Sequence, residues 1–144
     1  MKLAFDFAGG GQLIAEFLDR RVPATMRAIA AALPIKTSVY QARWSGREIF
    51  LPVSLQKKPP RENQSIRAAK GDVIYFCEWK DAYDYTGFEA IGLFYGNEIV
   101  REWRGDCPVN VIARIDQTQF ELIEELGERI WREGGEAITV TAVE

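Results

Sequence analysis

Residues 109–143, VNVIARIDQTQFELIEELGERIWREGGEAITVTAV, hold a strand, a helix and a second strand in close succession. The middle is the clearest element of the chain. Asp116 with Gln119 three residues on forms a capping box. Phe120, Ile123, Leu126 and Ile130 then recur at helical spacing, and Glu121, Glu124, Glu125 and Glu128 occupy much of the other surface. Gly134-Gly135 ends the helix as a left-handed cap. Before it, Val109–Ile115 is a valine and isoleucine run interrupted by Asn110, Ala113 and Arg114. After it, Ala137–Val143 alternates Ile138, Val140 and Ala142 against Thr139, Thr141 and Val143, the pattern of a strand. The rest of the chain decides whether such strands belong to a doubly wound sheet or to a barrel.

Outward from this stretch, strands dominate. Lys2–Phe7 alternates, and Gln12–Asp19 follows after Gly9-Gly10-Gly11, which predicts a β-hairpin. The glycines are not a phosphate loop, because no Gly-Lys-Ser/Thr follows them. Val22-Pro23-Ala24-Thr25 opens a first helix, with proline in the first turn where its missing N–H is not needed. Met26, Ile29 and Leu33 share one face of this helix, and Pro34 stops it. Thr37–Trp44 and Arg47–Leu51 read as two strands about Trp44-Ser45-Gly46. Lys57–Lys70 reads as a polar surface loop. Val73–Glu78 and Ala90–Tyr95 are further strands. Trp79–Gly87 is a loop dense in acids and aromatics, and Arg101–Asp106 is a surface connection. The sum is about eight strands and two helices, too few helices to alternate with the strands in a doubly wound sheet. A mainly β fold results, a closed β-barrel of about eight strands with two helices, formed by residues 1–144 as a single domain.

Composition removes several functions. The net charge is −3, so there is no basic excess to hold phosphate backbones, and no nucleic-acid partner is expected. The chain has no histidine, which excludes Ser-His and Cys-His catalysis and imidazole metal sites. The acidic spacing of Asp72, Asp81 and Asp84 fits no calcium loop, so no metal and no cofactor are expected. Cys77 and Cys107 are read as two buried thiols. No membrane span or targeting signal is recognisable, and a cytoplasmic location is expected.

The element order resembles the cyclophilin-like fold, and specifically the small bacterial and archaeal cyclophilin-like proteins of uncharacterised function. The segments that carry the resemblance are Pro23-Ala24-Thr25 through Leu33-Pro34, the hairpin Trp44-Ser45-Gly46-Arg47-Glu48-Ile49-Phe50 with Pro52-Val53, and Gly71-Asp72-Val73 with Pro108–Ile115. The resemblance implies a closed barrel. It also implies prolyl isomerisation by an arginine flanked by apolar residues, and Arg43 is the residue that matches. A guanidinium donating to the proline nitrogen or carbonyl would favour the twisted amide, whose barrier is about 20 kcal/mol.

Two clusters are candidate binding sites. Glu78–Tyr85 gathers three carboxylates and three aromatic rings, which suit a cationic or sugar-like ligand, or acid–base work. Arg43 and Arg47 flank the second hairpin and would pair on a carboxylate ligand. Trp44 and Trp131 are read as packed. The candidate pocket therefore comprises Arg43, Arg47, Trp79, Tyr83, Tyr85 and Phe94. Three functional readings stand. In the first, a barrel binds a small molecule or peptide in a surface cleft. In the second, it is a peptidyl-prolyl isomerase that uses Arg43. In the third, it is a homo-oligomeric assembly module without catalysis, whose aromatic loops form the subunit contact.

Overall fold

The computed structural model describes residues 1–79 and 86–143. In chain order the elements are β1 (Lys2–Phe7), β2 (Gln12–Phe17), α1 (Pro23–Ala32), β3 (Ile35–Gln41), β4 (Glu48–Pro52), β5 (Gln64–Ser65), β6 (Arg67–Ala68), β7 (Asp72–Cys77), β8 (Glu89–Phe94), β9 (Glu98–Ile99), β10 (Arg101–Glu102), β11 (Gly105–Asp106), β12 (Val109–Ile115), α2 (Phe120–Glu133) and β13 (Glu136–Val143). Eight strands run in the order β2-β1-β13-β3-β4-β8-β7-β12. Pairing of β12 back to β2 closes the barrel, and β5 adds to the far end of β12. Every pairing is antiparallel. No helix among the described residues is long and apolar enough to cross a membrane.

Strand alternation sends one set of side chains inward. Leu3, Phe5, Leu13, Ile49, Leu51, Val73, Tyr75, Ile91, Leu93 and Val140 form the barrel core, which Ile29 of α1 and Ile123, Leu126 and Ile130 of α2 join. The opposite faces of β7, β8 and β12 are also apolar. Ile74, Phe94, Val109 and Val111 make a second cluster on the outside of the wall, together with Ala68 and Val100. A break in register between Val111 and Ala113 turns β12, so that Ile112, Ala113 and Ile115 point into the core beyond it. The short pair β6–β9 and the hairpin β10–β11 lie across this outer layer.

The predicted hairpin, strands and helices are present, with four corrections. First, β3 ends at Gln41, so Arg43 and Trp44 lie in the turn rather than on a strand. That turn is drawn towards residues 98–101: the Ser45 hydroxyl donates to the Arg101 carbonyl at 2.9 Å, and Arg47 Nε meets Glu98 at 2.7 Å. Gly46 has φ +79°, which its lack of a Cβ permits.

Second, the polar stretch Lys57–Lys70 is anchored rather than free on the surface. The Glu62 carboxylate accepts from the amides of Ala24 and Thr25 and from the Thr25 hydroxyl. It caps α1 from a distance, since Val22 offers no side-chain cap, and it places a negative charge at the positive end of the helix. Asn110, fully buried, fixes this segment to the barrel. Its Nδ2 donates to Thr25 Oγ1 and the Pro60 carbonyl, and its Oδ1 accepts from Glu62 N and Gln64 Nε2.

Third, only half of the capping box forms. Asp116 accepts from Thr118 N at 2.9 Å, over a short 3-10 turn. Gln119 instead exchanges two hydrogen bonds with the backbone of Ile14, accepting at 2.8 Å and donating at 2.9 Å. It continues the ladder along β2 past the end of β12 and ties the start of α2 to the sheet. Fourth, Trp131 is not packed: it is 64% exposed on α2.

Candidate functional site

A cavity of about 280 Å³ opens on the outer face of the wall, beside the second apolar cluster. Phe50 of β4, Ile74 and Phe76 of β7, Ala90 of β8 and Val109 of β12 line its floor. These are the outward positions that alternate with core residues, so strand periodicity alone makes the floor apolar. Phe88 completes a strip of rings. Its centroid lies 5.9 Å from Phe50, edge-on, and 6.0 Å from Phe76. The turn after β3 and the hairpin β10–β11 form the walls and bring Trp44 and Trp103 to the cavity. Trp44 and Trp103 are 59% and 60% exposed. Trp44 is therefore not packed as expected, and Arg101–Asp106 is more than a surface connection.

One ionisable group reaches the apolar part of this cavity. Glu48 shares a face of β4 with Phe50 and is 6% exposed. The absence of a side chain on Gly92, across on β8, makes room for it: a Cβ there would fall 2.1 Å from Glu48 Oε2. Burial pushes the Glu48 carboxyl up to about 8, and the hydrogen bond with Ser45 offsets only part of that rise. No basic side chain among the described residues forms an ion pair with it.

Glu78, at another part of the lining, behaves oppositely. Burial opposes its ionisation, but the hydroxyl and amide of Thr86 and the guanidinium of Arg104 hold its carboxyl below the ordinary value. Arg104 also binds Glu102 at 3.1 Å and lies over the Trp103 ring at 4.7 Å. Cys107 lines the cavity as well. Burial, with Glu102 and Glu48 nearby, pushes its thiol up to about 12, so it is a poor nucleophile. Both cysteines are free thiols, Cys77 buried and Cys107 half-buried. The described residues contain no cluster of acidic and thiol groups able to hold a metal ion.

The residues expected to form a pocket are dispersed. Arg43, exposed, lines the cavity. Arg47 does not: Glu98 and the Asn97 carbonyl hold it. The two arginines instead border a separate depression beside Trp131 of α2. Trp79 lies in an adjoining groove, where its indole N–H donates to the Pro59 carbonyl at 2.9 Å and Arg61 covers its ring. Phe94 is fully buried in the outer cluster rather than facing the cavity. Tyr83 and Tyr85 lie outside the described residues. Glu48 was absent from the expected site, although two signals mark it. It is an acid on the Phe50 face of an otherwise apolar strand, and Gly92 interrupts a second apolar strand, which signals a close approach.

The family model described as a protein of unknown function, DUF3830, matches residues 6–142. No curated protein matches the chain significantly. Among solved structures, that of McbB in complex with tryptophan superimposes with a TM-score of 0.73 at 13% identity, over 99% of this chain and 46% of McbB. The chain thus spans less than half the length of McbB. The solution structure of a hypothetical protein from Archaeoglobus fulgidus superimposes with a TM-score of 0.62 at 26% identity, over 99% of this chain and 95% of the other.

Proposed function

The chain belongs to the DUF3830 family, whose function is unknown, and from that starting point we propose that it binds a small, largely apolar molecule in the outer-wall cavity, with Glu48 as the polar anchor. The observation that carries this reading is the buried Glu48 carboxyl, without an ion pair among the described residues, set into a floor of Phe50, Phe76, Phe88 and Ile74. Ligand sites typically combine apolar walls with a few fixed polar groups, in volumes of roughly 300–1,000 Å³. A cavity of about 280 Å³ is at the small end of that range and suits a single-ring compound rather than a folded peptide. Two tryptophans left more than half exposed at the walls supply contact area that a bound molecule would cover. McbB, part of which shares the barrel fold, is known in complex with tryptophan, and a small aromatic ligand is in keeping with that precedent.

The test is a fragment screen read by the indole N–H resonances of the tryptophans. Trp44 and Trp103 shift on binding, while Trp131, which does not line the cavity, serves as the internal control. A screen in which no fragment moves Trp44 or Trp103 at millimolar concentration would end this reading.

A second reading, prolyl isomerisation, follows from the cyclophilin-like resemblance and is favoured by Arg43 standing beside a ring-lined floor. In it, the rings hold the proline and the guanidinium stabilises the twisted amide. A proline-peptide assay at low temperature decides it: a rate no higher than background, with wild type and Arg43→Ala equal, disposes of the activity.

A further inference from the structure

We propose that the ligand of the outer-wall cavity is a primary amine carried on an aromatic ring, with its ammonium group against the Glu48 carboxylate and its ring on the Phe50–Phe88–Phe76 strip. This inference rests on the binding reading above and names its ligand class.

Charge accounting inside the site favours the amine. Glu78 and Glu102 are already bound by Arg104, with Thr86 also on Glu78, and Arg101 lies 3.5 Å from Asp106. Among the described residues, Glu48 alone of the cavity carboxyls has no cation, and it is the most deeply set in apolar surroundings. A buried carboxylate is strongly disfavoured unless a positive charge accompanies it. An ammonium ligand brings that charge, whereas a ligand carboxylate would be accepted only while Glu48 keeps its proton and would be repelled once Glu48 is ionised.

The surrounding rings act in the same direction. Aromatic faces attract an organic cation while remaining compatible with the apolar body that carries it. The outward positions of β7, β8 and β12 against Glu48 are Ile74, Phe76, Ala90, Gly92 and Val109, none of them titratable. Among the described residues, the other charged and titratable groups on the cavity are Arg43, Glu78, Arg101, Glu102 and Cys107. Burial with nearby carboxylates keeps the Cys107 thiol protonated to about 12, and Glu78 is held below the ordinary carboxylate value, so both titrate outside the neutral range.

In the empty protein at neutral pH the Glu48 carboxyl is protonated, because burial raises its pKa to about 8. Binding of an ammonium ion therefore releases that proton. Affinity for the amine rises by about tenfold per pH unit below pH 8 and levels off above it.

The experiment is a calorimetric titration of the intact protein with phenethylamine, 2-phenylethanol and phenylacetate between pH 6 and 9. The three share a ring and differ in the charge of the end group. The expected result is phenethylamine tightest, by about tenfold or more over the alcohol at pH 8.5, with the pH slope confined to the amine. In Glu48→Gln the amine preference and the slope disappear while the alcohol still binds. Equal binding of amine and alcohol by the wild type overturns the amine inference and leaves the cavity reading intact. Tightest binding by phenylacetate does the same. No binding by any of the three counts against both. The wild-type comparison and its pH slope require no variant, so a poorly folded Glu48→Gln does not remove the test.

Discussion

Replacing Glu48 by glutamine should make the protein more resistant to unfolding at alkaline pH, although the residue lines the proposed binding site. The glutamine keeps the shape of the side chain and removes its ability to ionise. In the wild type, burial raises the Glu48 carboxyl from the ordinary 4.5 to about 8. Below pH 4.5 both folded and unfolded states hold the proton, and the contribution to stability is fully present. Between 4.5 and about 8 the folded state retains a proton that the unfolded chain has released, so stability falls as pH rises. Above 8 both states are ionised and the loss is complete. The window spans roughly 3.5 pH units at about 1.4 kcal/mol each, which puts the full loss on the order of 5 kcal/mol. Relaxation of the side chain towards the cavity mouth reduces this to a few kcal/mol. The assay is urea unfolding followed by circular dichroism, for both proteins, from pH 5 to 9. Other carboxyls are common to both and cancel in the difference. The expected difference is within about 1 kcal/mol at pH 5 and opens to about 3–5 kcal/mol in favour of the variant at pH 9. A difference that stays constant from pH 5 to 9 would refute the reasoning, because Glu48 would then be ionising as it does in the unfolded chain.

Three further outcomes are expected. Asn110→Ala removes four hydrogen bonds that join β12 to the start of α1 and to the 60–64 segment, and strands the buried partners. A loss of about 3 kcal/mol or more in urea unfolding is expected, and a loss below about 0.5 kcal/mol contradicts the assigned network. Gly127→Ala, which in an exposed helix would stabilise by about 1 kcal/mol, is expected to destabilise α2. The Tyr95 ring sits where the new Cβ would go, 2.3 Å from its nearest carbon, and a rise in melting temperature would show that Tyr95 yields freely. Finally, burial raises the thiols of Cys77 and Cys107 to about 11 and 12. A disulfide exchange reagent at pH 7.5 should modify the native protein at least about tenfold more slowly than the protein in urea, and equal rates would contradict the shielding of buried Cys77 and half-buried Cys107.

The barrel was legible because it depends on local pattern. Alternation in Lys2–Phe7 and Ala137–Val143 places one set of side chains inward, whichever strands turn out to be neighbours. The Phe120–Ile130 spacing likewise defines the apolar face of α2 before anything packs on it. Short-range geometry also explains where the reading failed. Asp116 capped its helix turn as expected, but Gln119 found the open backbone of Ile14, distant in sequence, a better partner than its own helix start.

The site was less legible because its parts come from five separate stretches. Arg43 stands out in the sequence by the cyclophilin-like resemblance and by its place beside a turn, and it lines the cavity. Arg47 stands out by its place beside the same turn, yet Glu98 lies across the fold and claims it. A charge shows its chemistry in the sequence, but not whether an opposite charge will be folded against it. Glu48 is the converse case. Its own strand makes it a misplaced acid, and Gly92 makes room for it, but nothing local says that the two meet. The sequence by itself determined that this chain closes a mainly β barrel with two helices, since periodicity and turn residues act within a few positions. Only the tertiary structure decided that one outer wall carries a second apolar layer, and that a carboxyl without a countercharge among the described residues is set into it. The environment that raises the Glu48 carboxyl is assembled from β4, β7, β8, β12 and the 98–107 segment, and burial is a property of that assembly rather than of any one of its strands.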